Sequence, residues 1–289
     1  MGKSFLSKIE GFVLKKTKPK FMNSQKELDK FLDKKLDKED SNIKTIFKIS
    51  EINGIKCFTF GKKNRNIKIL YVHGGAYVNE LNNQHLLYCY LLSRKLDAYV
   101  IAPLYPLTPK NTYEKSYDVL LDTYSTLDGN IFIMGDSAGG GLALGFCQYL
   151  KSINLAQPNG IIVFSPWVDI SMSNEYDSDN DIILGEIGLK GIGEAWAGNE
   201  GTKYYKVSPL YGNNEGLANV LVFSGTNEIF YKDIEKYVEN LKKDNVNFKF
   251  IVGEGLFHIY PLFPIPEAKS AFKEIKEFIY KNIPSIDLK

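Results

Sequence analysis

Gly135-Asp136-Ser137-Ala138-Gly139 has the spacing of a nucleophilic serine. Residues 131–134 before it are an apolar run of strand character, and a helical run begins at Ala138. A G-x-S-x-G segment between a strand and a helix makes a sharp turn that projects the serine hydroxyl. Small residues are needed on both sides because the two backbones pass close together. A helix that starts there also leaves free N–H groups and a positive dipole end beside the serine, which suits a developing oxyanion. The plain alternative is a glycine-rich turn with an incidental serine, and the strand and helix on either side argue against it. Upstream, the apolar run 69–72 ends in His73-Gly74-Gly75-Ala76-Tyr77. Two glycines let a backbone turn present its N–H groups, as in the loop that completes an oxyanion hole beside a nucleophile elbow. The expected donors are the N–H groups of Gly74, Gly75 and Ala138. His73 reads as a loop-bracing residue rather than a base.

With HGGA and GDSAGG on one chain, the sequence resembles the hormone-sensitive-lipase-type branch of the α/β-hydrolases, the bacterial carboxylesterases. Ser165-Pro166-Trp167-Val168-Asp169 and Val207-Ser208-Pro209-Leu210 are similar to further family segments. Gly225-Thr226-Asn227-Glu228-Ile229-Phe230-Tyr231-Lys232-Asp233 resembles the acid loop, and Phe257-His258-Ile259-Tyr260-Pro261 the histidine loop. The match runs over about residues 67–281. It implies an α/β-hydrolase fold of about eight mostly parallel strands flanked by helices, with a helical cap. It also implies a triad of Ser137, Glu228 and His258. The family's acid is usually aspartate and its matching position here is Glu228, which the order Ser…Asp/Glu…His permits. Asp233 matches a second acidic position usually taken as structural and is the other candidate acid. The third glycine of the family's HGGG is Ala76, and its YRLAPE reads Tyr105-Pro106-Leu107-Thr108-Pro109-Lys110. The base must follow the acid in chain order, and His258 is the only histidine after His85. His85 itself reads as structural or pocket-lining.

The elements that must position these residues are legible as alternating runs. Residues 45–50 and 55–60 are β-rich and flank Asn53-Gly54, a hairpin signal. Apolar runs follow at 67–72, 98–102, 131–134, 160–164, 219–223 and 248–252, as expected for strands buried on both faces. Helical stretches are expected at about 82–96, 112–127, 138–151, 231–244 and 267–281. Strands and helices in alternation predict a mostly parallel sheet covered by helices. Residues 171–205 break the rhythm and read as an insertion over the strand ends. The first 40 residues are lysine-rich without strand pattern. Phe5, Leu6, Ile9, Phe12 and Val13 fall at helical spacing. Past Pro19, Ser24-Gln25-Lys26-Glu27 reads as a capping box for a helix bearing Leu28, Phe31, Leu32 and Leu36. Both stripes are expected to dock on the main body. The mixed charges of the polar faces argue against a membrane-surface helix. The expectation is therefore one hydrolase domain, 1–289, capped by residues 1–40 and the insertion 171–205.

Composition sets the outer bounds. The chain has 289 residues, long enough to fold without disulfides or metal. Its formal net charge of +2 gives no reason to expect a nucleic-acid partner. Three scattered cysteines form no CxxC pair, and a reducing cytoplasm suits them. No apolar run is long enough to cross a membrane, and the N-terminus lacks the continuous apolar stretch of a signal peptide. No metal or organic cofactor is implied. The partner expected is a small-molecule ester of short to medium acyl chain. The same machinery acting on an amide, a lactone or an acetylated sugar stays open, as does a non-catalytic ligand-binding protein on this scaffold.

Overall fold

The computed structural model describes residues 3–17, 24–37, 43–176 and 181–284. Its strands are β1 (Ile49–Ile52), β2 (Ile55–Phe60), β3 (Ile67–Val72), β4 (Ala98–Pro103), β5 (Asn130–Asp136), β6 (Gly160–Phe164), β7 (Val220–Asn227) and β8 (Phe248–Phe257). They form one eight-stranded sheet in the order β1-β2-β4-β3-β5-β6-β7-β8. β2 runs antiparallel to β1 and β4, and the strands from β4 to β8 are parallel. The helices are α1 (Phe5–Thr17), α2 (Gln25–Asp37), α3 (Asn83–Leu96), α4 (Tyr113–Ser125), α5 (Ser137–Ser152), α6 (Glu186–Ala197), α7 (Tyr231–Lys243) and α8 (Pro266–Lys281).

Helices lie on both faces because the strands are apolar on both faces. Leu70 and Val72 of β3 enter one core with Leu120 of α4, Phe146 of α5 and Ile234 of α7. Ile67, Ile69 and Tyr71 of the same strand enter the other core, with Leu92 of α3 and Ile275 of α8. This is the two-residue alternation of a strand used on both sides.

Three local features differ from expectation. The first strand covers 49–52 rather than 45–50. Asn53 (φ +52°) and Gly54 (φ +80°) form a two-residue turn that pairs Ile52 with Ile55, so the ladder is counted back from the turn. Residues 186–197 within the expected insertion form α6. Gly188, Gly191 and Gly193 lower its intrinsic helix propensity and hide it in sequence. A Cβ at Gly191 would overlap Leu28 of α2, so the glycine is what allows the two helices to meet.

The third difference is the rotation of α1. Phe5, Leu6 and Ile9 face outward (76%, 55% and 43% exposed), while Ser7, Gly11 and Leu14 are buried. Glu267 at the start of α8 decides this. Its carboxylate accepts hydrogen bonds from Ser4 N (2.6 Å), Ser4 Oγ (3.0 Å) and Ser7 Oγ (2.5 Å). Charge-assisted bonds of this kind are about twice as strong as neutral ones, and they turn the serine face inward. α2 docks as expected through Leu28, Phe31 and Leu32, although Leu36 is exposed. Its start is capped by the bond from Glu27 N to Ser24 Oγ (3.3 Å). Pro19, expected to separate the two helices, lies outside the described residues, as do 177–180 of the insertion.

Leu28 is the one fully buried side chain of α2. Leu28→Ala should therefore remove roughly 2–5 kcal/mol from its docking. Amide hydrogen exchange is the check: the amides of α2 should lose protection while those of β3, β5 and β6 keep theirs.

Candidate active site

Ser137, Glu228 and His258 are each the first residue after a strand: β5 ends at Asp136, β7 at Asn227 and β8 at Phe257. The three strands run parallel, so all three residues leave the sheet at its carboxyl edge, where ligand sites of such sheets lie. An irregularity between Gly225 and Asn227 brings Asn227 opposite Phe257, which sets the next residues of the two strands side by side. His258 Nε2 lies 2.9 Å from Ser137 Oγ, and His258 Nδ1 lies 3.0 Å from Glu228 Oε2. Since a carboxylate can only accept, Nδ1 carries the hydrogen and Nε2 is left to accept from the serine hydroxyl. The second oxygen of Glu228 takes a hydrogen bond from Ser224 Oγ. All three side chains are buried, with Ser137 7% exposed.

Ser137 has φ +52°, a left-handed conformation rare outside glycine. The neighbours impose it. A Cβ at Gly135 would come within 2.5 Å of Gly139 O, and one at Gly139 would overlap the carbonyls of Val72 and His73. Burial pulls the His258 imidazole down. The hydrogen bond and charge of Glu228, with Asp181 and Asp136 contributing after it, outweigh that and hold its pKa above the ordinary value.

The HGGA loop is tied to the elbow by Asp136, which in the sequence stands out only as part of the motif. Its Oδ1 accepts from Tyr71 OH (2.7 Å) and Gly74 N (3.1 Å), and its Oδ2 faces His85 Nε2 at 3.2 Å. Asn82 N–H donates to His85 Nδ1 (3.2 Å), so Nε2 carries the hydrogen that points at Asp136. Burial would raise the Asp136 pKa, but the His85 and Tyr71 contacts more than offset this and hold it below the usual carboxylate range. Among the expected oxyanion donors, the Gly74 N–H is bonded to Asp136. Gly75 and Ala76 instead line the cavity beside Ser137. Gly75 (φ +120°) and Ala76 (φ +52°) both lie in the left-handed region, and a Cβ on Gly75 would come within 2.6 Å of Asn79 O. Ala138 is the second residue of α5, in the first turn, where N–H groups have no acceptor within the helix.

His73 braces its loop. It is fully buried, bonds Gly74 O through Nδ1 (2.7 Å) and stacks on Tyr105 (4.3 Å), and burial pushes its pKa down to about 4. Asp233 has other partners. It accepts from Tyr176 OH (2.7 Å) and Asn174 Nδ2, tying α7 to the insertion, and burial pushes its pKa up to about 6. A row of stacked rings joins the insertion to the site: Trp196 of α6 on Tyr77 (4.1 Å), Tyr77 by Trp167 (5.6 Å), and Trp167 by Phe230 (5.6 Å). Phe230 then meets His258 edge-on at 5.4 Å. The cavity over Ser137 measures about 630 Å³ and includes Ile183, Leu184, Ile259 and Phe263 in its wall. Asp181, within the insertion, carries no motif to mark it. It is fully buried and bonded to the acid loop through Ile229 N (2.9 Å).

Similarity to known proteins agrees with this geometry. Residues 69–262 match the family described as the alpha/beta hydrolase fold. An esterase of Acinetobacter venetianus is 31% identical over 232 residues, covering 73% of each chain. An acetyl-hydrolase of Streptomyces hygroscopicus is 24% identical, over 73% of this chain and 74% of its own. The crystal structure of an esterase from the bacterial hormone-sensitive lipase family superposes with a TM-score of 0.80 at 22% identity, covering 98% of this chain and 100% of that one. With a family match over residues 69–262 and an esterase relative at 31% identity, the chain belongs to the α/β-hydrolase fold family.

Proposed function

We propose that this carboxylic-ester hydrolase works through Ser137 as nucleophile, His258 as general base and then acid, and Glu228 as the partner that orients the imidazole. The observation that carries the reading is the unbroken hydrogen-bond chain Ser137 Oγ, His258, Glu228 at 2.9 and 3.0 Å. Ser137 Oγ attacks the ester carbonyl as His258 Nε2 takes its proton. His258 returns that proton to the departing alcohol, and Glu228 stabilises the imidazolium in between. Water then enters by the same route in reverse and releases the acid from the acyl-enzyme. The oxyanion is held by the N–H groups of Gly75, Ala76 and Ala138, each worth about 3 kcal/mol in related sites. The position of Gly75 and Ala76 on the cavity wall supports this set over one that includes Gly74.

The cavity of about 630 Å³, with an apolar wall from Ile183, Leu184 and Phe263, favours neutral esters of short to medium acyl chain. The chain is read as one hydrolase unit, 1–289, with α2 and α6 as packed parts of a cap over this cavity. No helix among the described residues is long and apolar enough to cross a membrane. A cytoplasmic setting is supported by three free, buried cysteines.

Ser137→Ala should abolish turnover of p-nitrophenyl butyrate, leaving a residual rate a few thousand-fold above water. A fluorophosphonate should label the wild-type protein at Ser137 and leave the variant unlabelled. Near-normal turnover in the purified variant would remove the assignment.

The two acids separate cleanly. Glu228→Gln should lower turnover by about ten thousand-fold, because an amide partner favours the wrong imidazole tautomer. Asp233→Asn should keep turnover and act on stability. The raised Asp233 pKa means that its protonated form is favoured in the fold. Wild-type stability should therefore be fullest below the ordinary carboxylate value and fall as pH rises through about 6, and that fall should be absent in the variant. Melting curves across this range, with turnover at matched folded fraction, check both statements.

The kcat/KM profile should show one acid-side limb. His258 must be uncharged to accept the serine proton, and its pKa lies above the ordinary imidazole value. The midpoint should thus fall above about 6.5. A limb below that value would count against His258 as the base.

A further inference from the structure

We propose that Asp181 is a positioning residue of the triad, coupling the cavity wall to the loop that carries Glu228. The inference rests on the triad reading above. Asp181 is fully buried, and among the described residues no lysine or arginine lies within ion-pair distance of it. Backbone N–H groups satisfy it instead. Its Oδ1 accepts from Ile183 N (2.7 Å) and Leu184 N (2.8 Å), and its Oδ2 accepts from Ile229 N (2.9 Å). A buried carboxylate is retained only when such donors replace its water. These donors come from two places that matter to the site. Ile183 and Leu184 form part of the cavity wall, and Ile229 is the residue next to Glu228.

The arrangement answers a geometric need. A glutamate reaches its partner through one methylene more than an aspartate and has one more rotatable bond to fix. Glu228 is fixed at both ends: Ser224 Oγ holds its second carboxylate oxygen, and Asp181 holds the backbone one peptide beyond it. Without the Asp181 bond the loop can shift. A displacement of about 1 Å in a catalytic group can cost on the order of a hundredfold in rate. Asp181 also places a second negative charge near His258, beside Glu228 and Asp136, and each of these charges raises the imidazole pKa.

Asp181→Asn is the test, since it conserves size. The amide oxygen can still accept from Ile183 and Leu184, but its NH₂ then faces the Ile229 N–H, donor against donor. Active sites are counted with a fluorophosphonate, so that turnover is read per competent Ser137. Turnover per site should fall about 10- to 100-fold, and the acid limb of kcat/KM should move to lower pH. The Asp181→Asn/Glu228→Gln double variant should lose little beyond Glu228→Gln alone, because the first residue acts through the second. A residue that only holds the fold would lower the melting temperature while leaving per-site turnover and the limb in place, and that result would overturn the proposal. Losses that multiply in the double variant would overturn it as well. If Asp181→Asn yields no folded protein, Asp181→Glu carries the test. It keeps the charge and shifts the acceptor, so turnover should fall with the limb unmoved, and wild-type turnover there would refute the coupling. Failure of the wild-type protein to label at Ser137 would instead count against the triad reading.

Discussion

The close crossing of β5, β3 and α5 is the constraint on which the rest of this molecule depends. Two strand ends and a helix start are pressed together until there is no room for a Cβ at Gly135 or Gly139. The chain can turn there only by placing Ser137 in the left-handed region. That backbone strain, of order 1–3 kcal/mol, is tolerated because the flanking strands and the helix are buried on all sides. The result is a serine hydroxyl held out over the sheet edge, with the first N–H groups of α5 beside it. A regular strand end would lay the same hydroxyl along the sheet, out of reach of a base supplied by β8.

Around this turn the protein buries a set of carboxylates with few cations among them. Asp136 is held by Tyr71, Gly74 N and His85. Asp169 is held by Ser171, Ser173 and Tyr211. Asp181 takes three backbone N–H groups, and Asp233 takes Tyr176 and Asn174. Hydroxyl and amide donors are short and directional, so each carboxylate fixes particular segments of backbone instead of a long flexible lysine. The uncompensated charge has an electrostatic consequence. His258 stands among Glu228, Asp181 and Asp136, and their field outweighs the burial that would otherwise disfavour the imidazolium. An imidazolium at this position is therefore stabilised in advance.

The insertion and the N-terminal helices meet the site through packing. Trp196, Tyr77, Trp167 and Phe230 form a row of rings from α6 to the histidine, passing through the oxyanion loop on the way. Stacked aromatics contribute beyond their buried area and resist sliding. α2 adds Leu28 against the glycine face of α6. α1 is held by Glu267 of α8 and by Leu14 in the core it shares with α3 and α8.

The motifs that could carry the chemistry are contiguous, so they are legible in the sequence. Elbow, oxyanion loop, acid loop and histidine loop each need a particular order of small, apolar and polar residues, and such order survives in one dimension. The buried strands were equally legible, since a strand covered on both faces must be an uninterrupted apolar run. Only the tertiary structure shows that the Gly74 N–H is taken by an aspartate sixty-two residues away. It also decided the rotation of α1, where hydrogen bonds from Ser4 and Ser7 to Glu267 outcompete the apolar stripe for the inward face. Glu228 follows β7 and Asp233 lies five residues on in the first turn of α7, and periodicity cannot tell which faces a histidine that arrives from β8. Asp181 carried no motif at all. Its partners are backbone N–H groups, which every residue has, so its role exists only where the folded chain brings residues 183, 184 and 229 around one carboxylate.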